Sequence, residues 1–189
     1  MVVLAIDTCC GPFSIIIRKD HQSLAHIVEI QENKQAELLV LTIEKALSKA
    51  EIGYEDLELI AVTNGPGSFT GIRAGLASVY AISSVLSIPC IGVTTLEALA
   101  HQFIKSISED EFYLTITAGR GRYYCQLFNQ SLSALSKIKL LESEKVSQLN
   151  EAIYGDYKQK TIIDAVVVAD IGSAKFKNGN LGLPTALYK

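Results

Sequence analysis

Apolar residues in this chain run through one order of elements twice, strand-strand-strand-helix-strand, and that order restricts the fold more than any single motif. Residues 2–6 form an unbroken apolar run, the mark of a strand covered on both faces. Turn formers follow at Gly11 and Pro12, then strands are predicted at 13–18 and 23–30. Over 35–50 the period changes. Ala36, Leu39, Val40, Ile43, Ala46 and Leu47 recur at three- and four-residue spacing, the stripe of a helix. The pattern then predicts a strand at 57–63, a helix at 68–87 and a strand at 90–93. A shorter helix follows, opened by Thr94 or Thr95 as N-cap, with Leu96, Leu99, Ala100 and Phe103 on its apolar face. From 111 the sequence starts again, with strands at 112–117 and 122–128 and a weaker one at 133–141. A short helix at 146–154 and a strand at 161–169 complete the second round. The tail beyond Ile171, rich in Gly172, Asn178, Gly179, Asn180, Gly182 and Pro184, reads as loop.

Three strands followed by alternating helices and strands is the order of a ribonuclease-H-like lobe. The expected fold is α/β, with two such lobes of the actin/Hsp70/sugar-kinase (ASKHA) type and a shortened second lobe. The polar stretch 106–110 marks the boundary, giving residues 1–107 and 108–189. Fold analogy alone assigns no activity.

Composition narrows the function classes. Of 189 residues, 49% are hydrophobic and 20% charged, which suits a packed core and argues against disorder. The net charge of -3 is unlike that of a protein gripping nucleic acid by itself, so any RNA contact is local or made through a partner. Cys9, Cys10, Cys90 and Cys125 form no C-x-x-C pair and have no histidine at zinc-ligand spacing, which points to reduced thiols in a cytoplasmic protein. The opening residues lack a basic leader, and Asp7 interrupts their apolar run. Residues 74–96 carry no charge and are long enough to span a bilayer, but Pro89 ends the helix well short of a full span. The reading is a buried helix and strand, with no membrane insertion.

Two segments carry candidate chemistry. Asp7 ends the first strand before a tight turn. It either holds a hydrated magnesium ion near phosphates, with Thr8 beside it, or accepts hydrogen bonds from turn amides. The second is Gly65-Pro66-Gly67-Ser68-Phe69-Thr70-Gly71, joining a strand to a helix. Such a junction presents free amides at the positive end of a helix, so Gly65, Gly67, Ser68 and Thr70 are candidate phosphate contacts. The segment is neither a Walker A loop, since Ile72 follows Gly71 where lysine is required, nor G-x-G-x-x-G. The alternative is purely structural: Pro66 and Gly67 shape a turn, Ser68 caps the helix and Gly71 admits a close neighbour. The helix beyond bears Arg73, Ala74, Ala77, Tyr80 and Ala81, either packed in the core or presented to a partner. Hydrolase chemistry has little support. The histidines His21, His26 and His101 are scattered, and neither H-E-x-x-H nor G-x-S-x-G occurs. The turn at Gly119-Arg120-Gly121-Arg122, followed by Tyr123 and Tyr124, either touches phosphate or RNA or is a solvated hairpin tip.

Three stretches together resemble one family. Leu4-Ala5-Ile6-Asp7-Thr8 is similar to its opening strand. The run from Ala61 through Asn64-Gly65-Pro66-Gly67-Ser68-Phe69-Thr70-Gly71-Ile72-Arg73 to Ala77 is similar to its signature, and Ile88 to Leu99 continues it. On these residues the chain resembles the TsaB (YeaZ) family of bacterial tRNA-modification proteins over about residues 1–105. The resemblance implies a non-catalytic partner of TsaD, its catalytic relative, working with the ATPase TsaE. That assembly transfers a threonylcarbamoyl group to adenosine 37 of ANN-decoding tRNAs.

It further implies no cofactor of the chain's own, with ATP and a metal ion held by TsaD and TsaE; the H-x-x-x-H pair of TsaD is absent here. The heterodimer face would come from 35–50 and 68–87, with Ala36, Leu39, Val40, Ile43, Arg73, Ala74, Ala77, Tyr80 and Ala81 as its residues, and the same face would allow a homodimer. tRNA would be met through the complex. Two departures stand out. Gln35 replaces a histidine common in the family, and Thr117-Ala118-Gly119-Arg120-Gly121 replaces D-A-R-R-G. The competing reading is an ATP-dependent ASKHA-type phosphotransferase or ATPase, with Asp7 and the glycine loop on phosphates and a faint second loop at Asp170-Ile171-Gly172-Ser173.

Overall fold

A computed structural model describes residues 1–31, 34–180 and 183–187. The first three strands, β1 (Val2–Asp7), β2 (Phe13–Lys19) and β3 (Gln22–Glu29), form an antiparallel meander. Helix α1 (Gln35–Ala50) leads to β4 (Leu59–Thr63), which pairs parallel to β1. Helix α2 (Phe69–Leu86) leads to β5 (Cys90–Val93), parallel to β4. The sheet order is β3-β2-β1-β4-β5. Every residue of β1 and β4 is buried. Side chains alternate across a strand, so both sheet faces must be covered. Helices α1 and α2 pack on each other, on β2–β3 and on β4–β5 respectively.

Helix α3 (Thr95–Phe103) starts with a capping box. Thr94 Oγ1 accepts from the Glu97 amide at 3.1 Å, and Glu97 Oε2 accepts from the Thr94 amide at 3.3 Å. The chain then builds a second sheet from β6 (Glu111–Gly119), β7 (Arg122–Asn129), β8 (Lys139–Glu142) and β9 (Ala152–Gly155), in the order β8-β7-β6-β9. β6 and β7 are antiparallel and β9 is parallel to β6, repeating the start of the first lobe. The architecture is the two-lobe ASKHA type. The polar stretch 106–110 lies between the two sheets.

The second round departs from the sequence pattern in four places. Residues 133–141 do not form one strand; β8 begins at Lys139, and only an isolated bridge, Phe128 to Ala134, precedes it. The helix expected at 146–154 is a single turn, α4 (Ser143–Val146), followed by β9. The strand expected at 161–169 is instead the approach to α5 (Ala165–Lys177), so the chain beyond Ile171 is helical to Lys177 rather than loop. Gly182 lies outside the described residues. The reason is tertiary. Val166, Val167 and Val168 favour a strand, but Ala165, Val168, Ala169, Ile171 and Gly172 are buried at helical spacing against β1, β4 and β5. Asp164 caps the helix by accepting from the Val166 amide at 2.8 Å. Gly172 abuts Ala61, so the faint loop at Asp170-Ile171-Gly172-Ser173 is mid-helix and presents no phosphate cradle.

Polar anchors hold α5 on the first sheet. Arg18 Nη1 donates to Asp170 Oδ1 at 2.6 Å, and the Ala165 amide donates to Ser14 Oγ at 3.1 Å. Lys175 Nζ reaches the Gly92 carbonyl at 3.0 Å and Glu97 Oε2 at 2.7 Å. The element that ends the second lobe thus completes the core of the first.

Candidate functional site

The residues singled out from the sequence converge on the end of β1, the 64–68 loop and the first turn of α2. Asp7 is fully buried. Its Oδ1 accepts from the Thr63 hydroxyl at 2.6 Å and the Cys9 amide at 3.1 Å, while Oδ2 is buried with no hydrogen-bond partner among the described residues. Burial pushes its pKa up to about 6, against the opposing pull of the Thr63 hydroxyl and the Cys9 and Cys10 amides. Thr8 is also sealed: its hydroxyl donates to the Gly71 carbonyl at 2.7 Å. A Cβ on Gly71 would run into the Thr8 carbonyl, and one on Gly75 would lie 2.5 Å from Thr8 Oγ1. These two helix glycines therefore let α2 lie directly against the end of β1.

Three amides at this corner are engaged within the chain. The Ser68 amide donates to the Cys9 carbonyl at 2.8 Å, the Gly71 amide to Ser68 Oγ at 3.2 Å, and the Cys9 amide to Asp7. Gly65 and Gly67 have φ of 104° and 156°, and the Gly65-Pro66 peptide is cis. A Cβ on Gly67 would meet the Cys9 carbonyl. Thr70 is exposed at the first turn. Beside this corner a cleft of about 710 Å³ separates the lobes. Cys9, Ser68 and Phe69 line one wall, and Thr117, Tyr123 and Asp156 the other. Burial pushes the Cys9 thiol up to about 12, with the Asp7 charge adding to the effect, which favours the protonated thiol over the thiolate.

Helices α1 and α2 divide the proposed docking residues. Arg73, Ala77 and Ala81 are exposed on α2, and Ala74 and Tyr80 are half-buried; Ala36 and Val40 are exposed on α1. Leu39 and Ile43 are a correction. They are 1% and 0% exposed, buried within the chain where α1 packs on α2 and the first sheet, whereas Ala36 and Val40 of the same stripe stay exposed. The structure adds Leu41, Phe69 and Val85, exposed by 61%, 50% and 83%. Leu41 and Val85 fall off the apolar stripes of their helices, a signal legible in the sequence. Arg73 places its guanidinium 3.9 Å from the Phe69 ring centroid. By length and composition α2 would cross a membrane, but its buried residues Gly71, Ile72, Gly75, Leu76, Val79 and Ser83 form the inner stripe of an amphipathic helix on the sheet. The Arg120 hairpin sits at the far lip of the cleft. Arg120 and Gly121 turn with φ of 54° and 70°, the geometry of a tight hairpin.

The family model described as "TsaD: tRNA N6-adenosine threonylcarbamoyltransferase" matches residues 24–185. The chain belongs to this family. Within it the likeness runs to TsaB (YeaZ). The chain is 32% identical over 126 residues to the tRNA threonylcarbamoyladenosine biosynthesis protein TsaB of Buchnera aphidicola, covering 65% of this chain and 58% of that protein. It is 27% identical over 138 residues to the tRNA N6-adenosine threonylcarbamoyltransferase of Clostridioides difficile, covering 64% and 41%. The matched region thus spans less than two thirds of either relative. In fold, YeaZ from Pseudomonas aeruginosa superposes with a TM-score of 0.83 at 17% identity, covering 100% of this chain and 99% of that one.

Proposed function

We propose that this chain is a TsaB-type, non-catalytic partner of TsaD in the biosynthesis of threonylcarbamoyladenosine in tRNA, acting by heterodimerisation through the outer faces of α1 and α2. The observation that carries the reading is that α2 keeps apolar residues exposed outside the stripe it buries. Ala77, Ala81 and Val85 stay exposed on it, as do Val40 and Leu41 on α1, which packs on α2. An exposed apolar face on two helices that pack together is the physical signature of a docking surface. The non-catalytic part of the reading rests on the corner at Asp7. The carboxylate is sealed, and the Cys9, Ser68 and Gly71 amides already donate within the chain. TsaE and tRNA would then be met by the assembled complex, with nucleotide and metal chemistry supplied by the partners.

Co-purification with TsaD tests this, comparing wild type with Ala77→Arg. Wild type should bind, and the variant should lose at least about tenfold in affinity, because a bulky charge would be buried unpaired in an apolar contact. An unchanged circular dichroism spectrum must accompany the loss. Failure of wild type to bind TsaD would refute the reading.

A further inference from the structure

Residues 183–187 return to the carboxyl ends of β4 and β5, where open α/β sheets ordinarily offer a ligand crevice. Asn64, the residue after β4, grips this segment twice. Its Nδ2 donates to the Thr185 carbonyl at 2.8 Å, and its own carbonyl accepts from the Leu187 amide at 2.8 Å. A two-residue spacing is that of an extended segment, whose alternate residues face one way. Two glycines make the room. A Cβ on Gly92 would lie 2.8 Å from Pro184 Cβ, and one on Gly65 would run into the Leu187 carbonyl. Pro184 is buried and Ala186 packs against the core. The loop held in this way also receives the Thr95 amide on the Gly65 carbonyl at 2.8 Å, and its Ser68 caps α2. The start of α2, the start of α3 and the end of the chain's described part therefore share one short loop.

We propose that residues 184–187 are a tethered peptide ligand, that Asn64, Gly65 and Gly92 form its receptor groove, and that its seating holds the 64–68 loop and the first turn of α2 in place. The groove recognises an extended segment through main-chain polar groups and two small apolar side chains, the logic of strand addition. The inference is independent of the docking reading, and its test uses no partner.

Hydrogen exchange on the whole chain reads it directly. Wild type is compared with Asn64→Ala, with Gly92→Ala, and with the double variant Pro184→Asp/Ala186→Asp, which alters only the tail. In each variant the Leu187 amide should lose protection by about tenfold or more, and the amides of 64–72 and Thr95 should loosen with it, while β1 stays protected. A synthetic peptide of residues 183–187, added at millimolar concentration to the double variant, should restore loop protection, and should fail to do so in Asn64→Ala. Loop protection unchanged in the double variant, or no restoration by the peptide, would overturn the proposal. Loss of β1 protection in the loop variants reports unfolding, and the double variant, whose changes lie outside both sheets, then decides.

Discussion

Replacing Asp7 by asparagine should change how stability depends on pH, with a sign fixed by burial. In the folded chain the Asp7 carboxyl titrates at about 6, against 3.8 when unperturbed. The folded state therefore binds a proton more readily than the unfolded state across that window, so stability falls as pH rises. The contribution is fully present below the unfolded value and lost above about 6. A shift of this size corresponds to about 3 kcal/mol in all, of which about 2 kcal/mol falls between roughly pH 4.5 and 7.5. Asparagine keeps an oxygen for the Thr63 hydroxyl and the Cys9 amide but cannot ionise. Its NH2 would occupy the place of Oδ2, which has no partner among the described residues, at a cost of about 1–3 kcal/mol that does not vary with pH. The informative quantity is thus the difference in unfolding free energy, variant minus wild type, which should rise by about 2 kcal/mol over that range. Urea unfolding at several pH values measures it, and the other carboxylates cancel in the subtraction. A difference that stays flat or falls with pH would refute the assignment of a desolvated carboxylate at Asp7.

Other outcomes follow from the packing. Gly71→Ala should destabilise by about 3 kcal/mol in urea unfolding, because the added methyl meets the Thr8 main chain rather than a movable side chain. Leu39→Ala should cost about 2–5 kcal/mol of stability while the folded fraction still binds TsaD, the opposite of Ala77→Arg, since Leu39 belongs to the core. The native thiols should resist a disulfide reagent at pH 8 and all four should react in urea. Burial raises Cys9 and Cys90 to about 12, Cys125 to about 11, and Cys10 well above its usual value. Rapid native labelling of any one would contradict that burial.

How far the sequence could be read depended on whether local and long-range signals agreed. In the first lobe they did. The stripe over 35–50 is α1 to the residue, Ser68 caps α2, and Thr94 caps α3. In the second lobe they conflicted. The valines before Asp170 read locally as strand, and nothing nearby reveals that a sheet built far earlier in the chain needs a helix across it. The candidate site divided in the same way. Asp7, Thr8 and the 64–71 loop were marked by composition and turn chemistry. Which amides they satisfied was settled only when β1, β4 and α2 came together. Of the docking residues that the resemblance implied on α1, Leu39 and Ile43 are buried, because most of an apolar stripe is the face a helix packs within its own chain.

By itself the sequence determined the alternation of elements in the first lobe, the caps of α2 and α3, the glycine-rich corner and the family, because hydrophobic period, turn chemistry and motif are properties of neighbouring residues. Tertiary structure alone decided that α5 closes the first sheet, that Asp7 is desolvated, that Leu39 and Ile43 are core, and that Asn64 holds residues 185 and 187. Each of those outcomes depends on burial and hydrogen bonding between segments far apart in the chain, which no local pattern encodes.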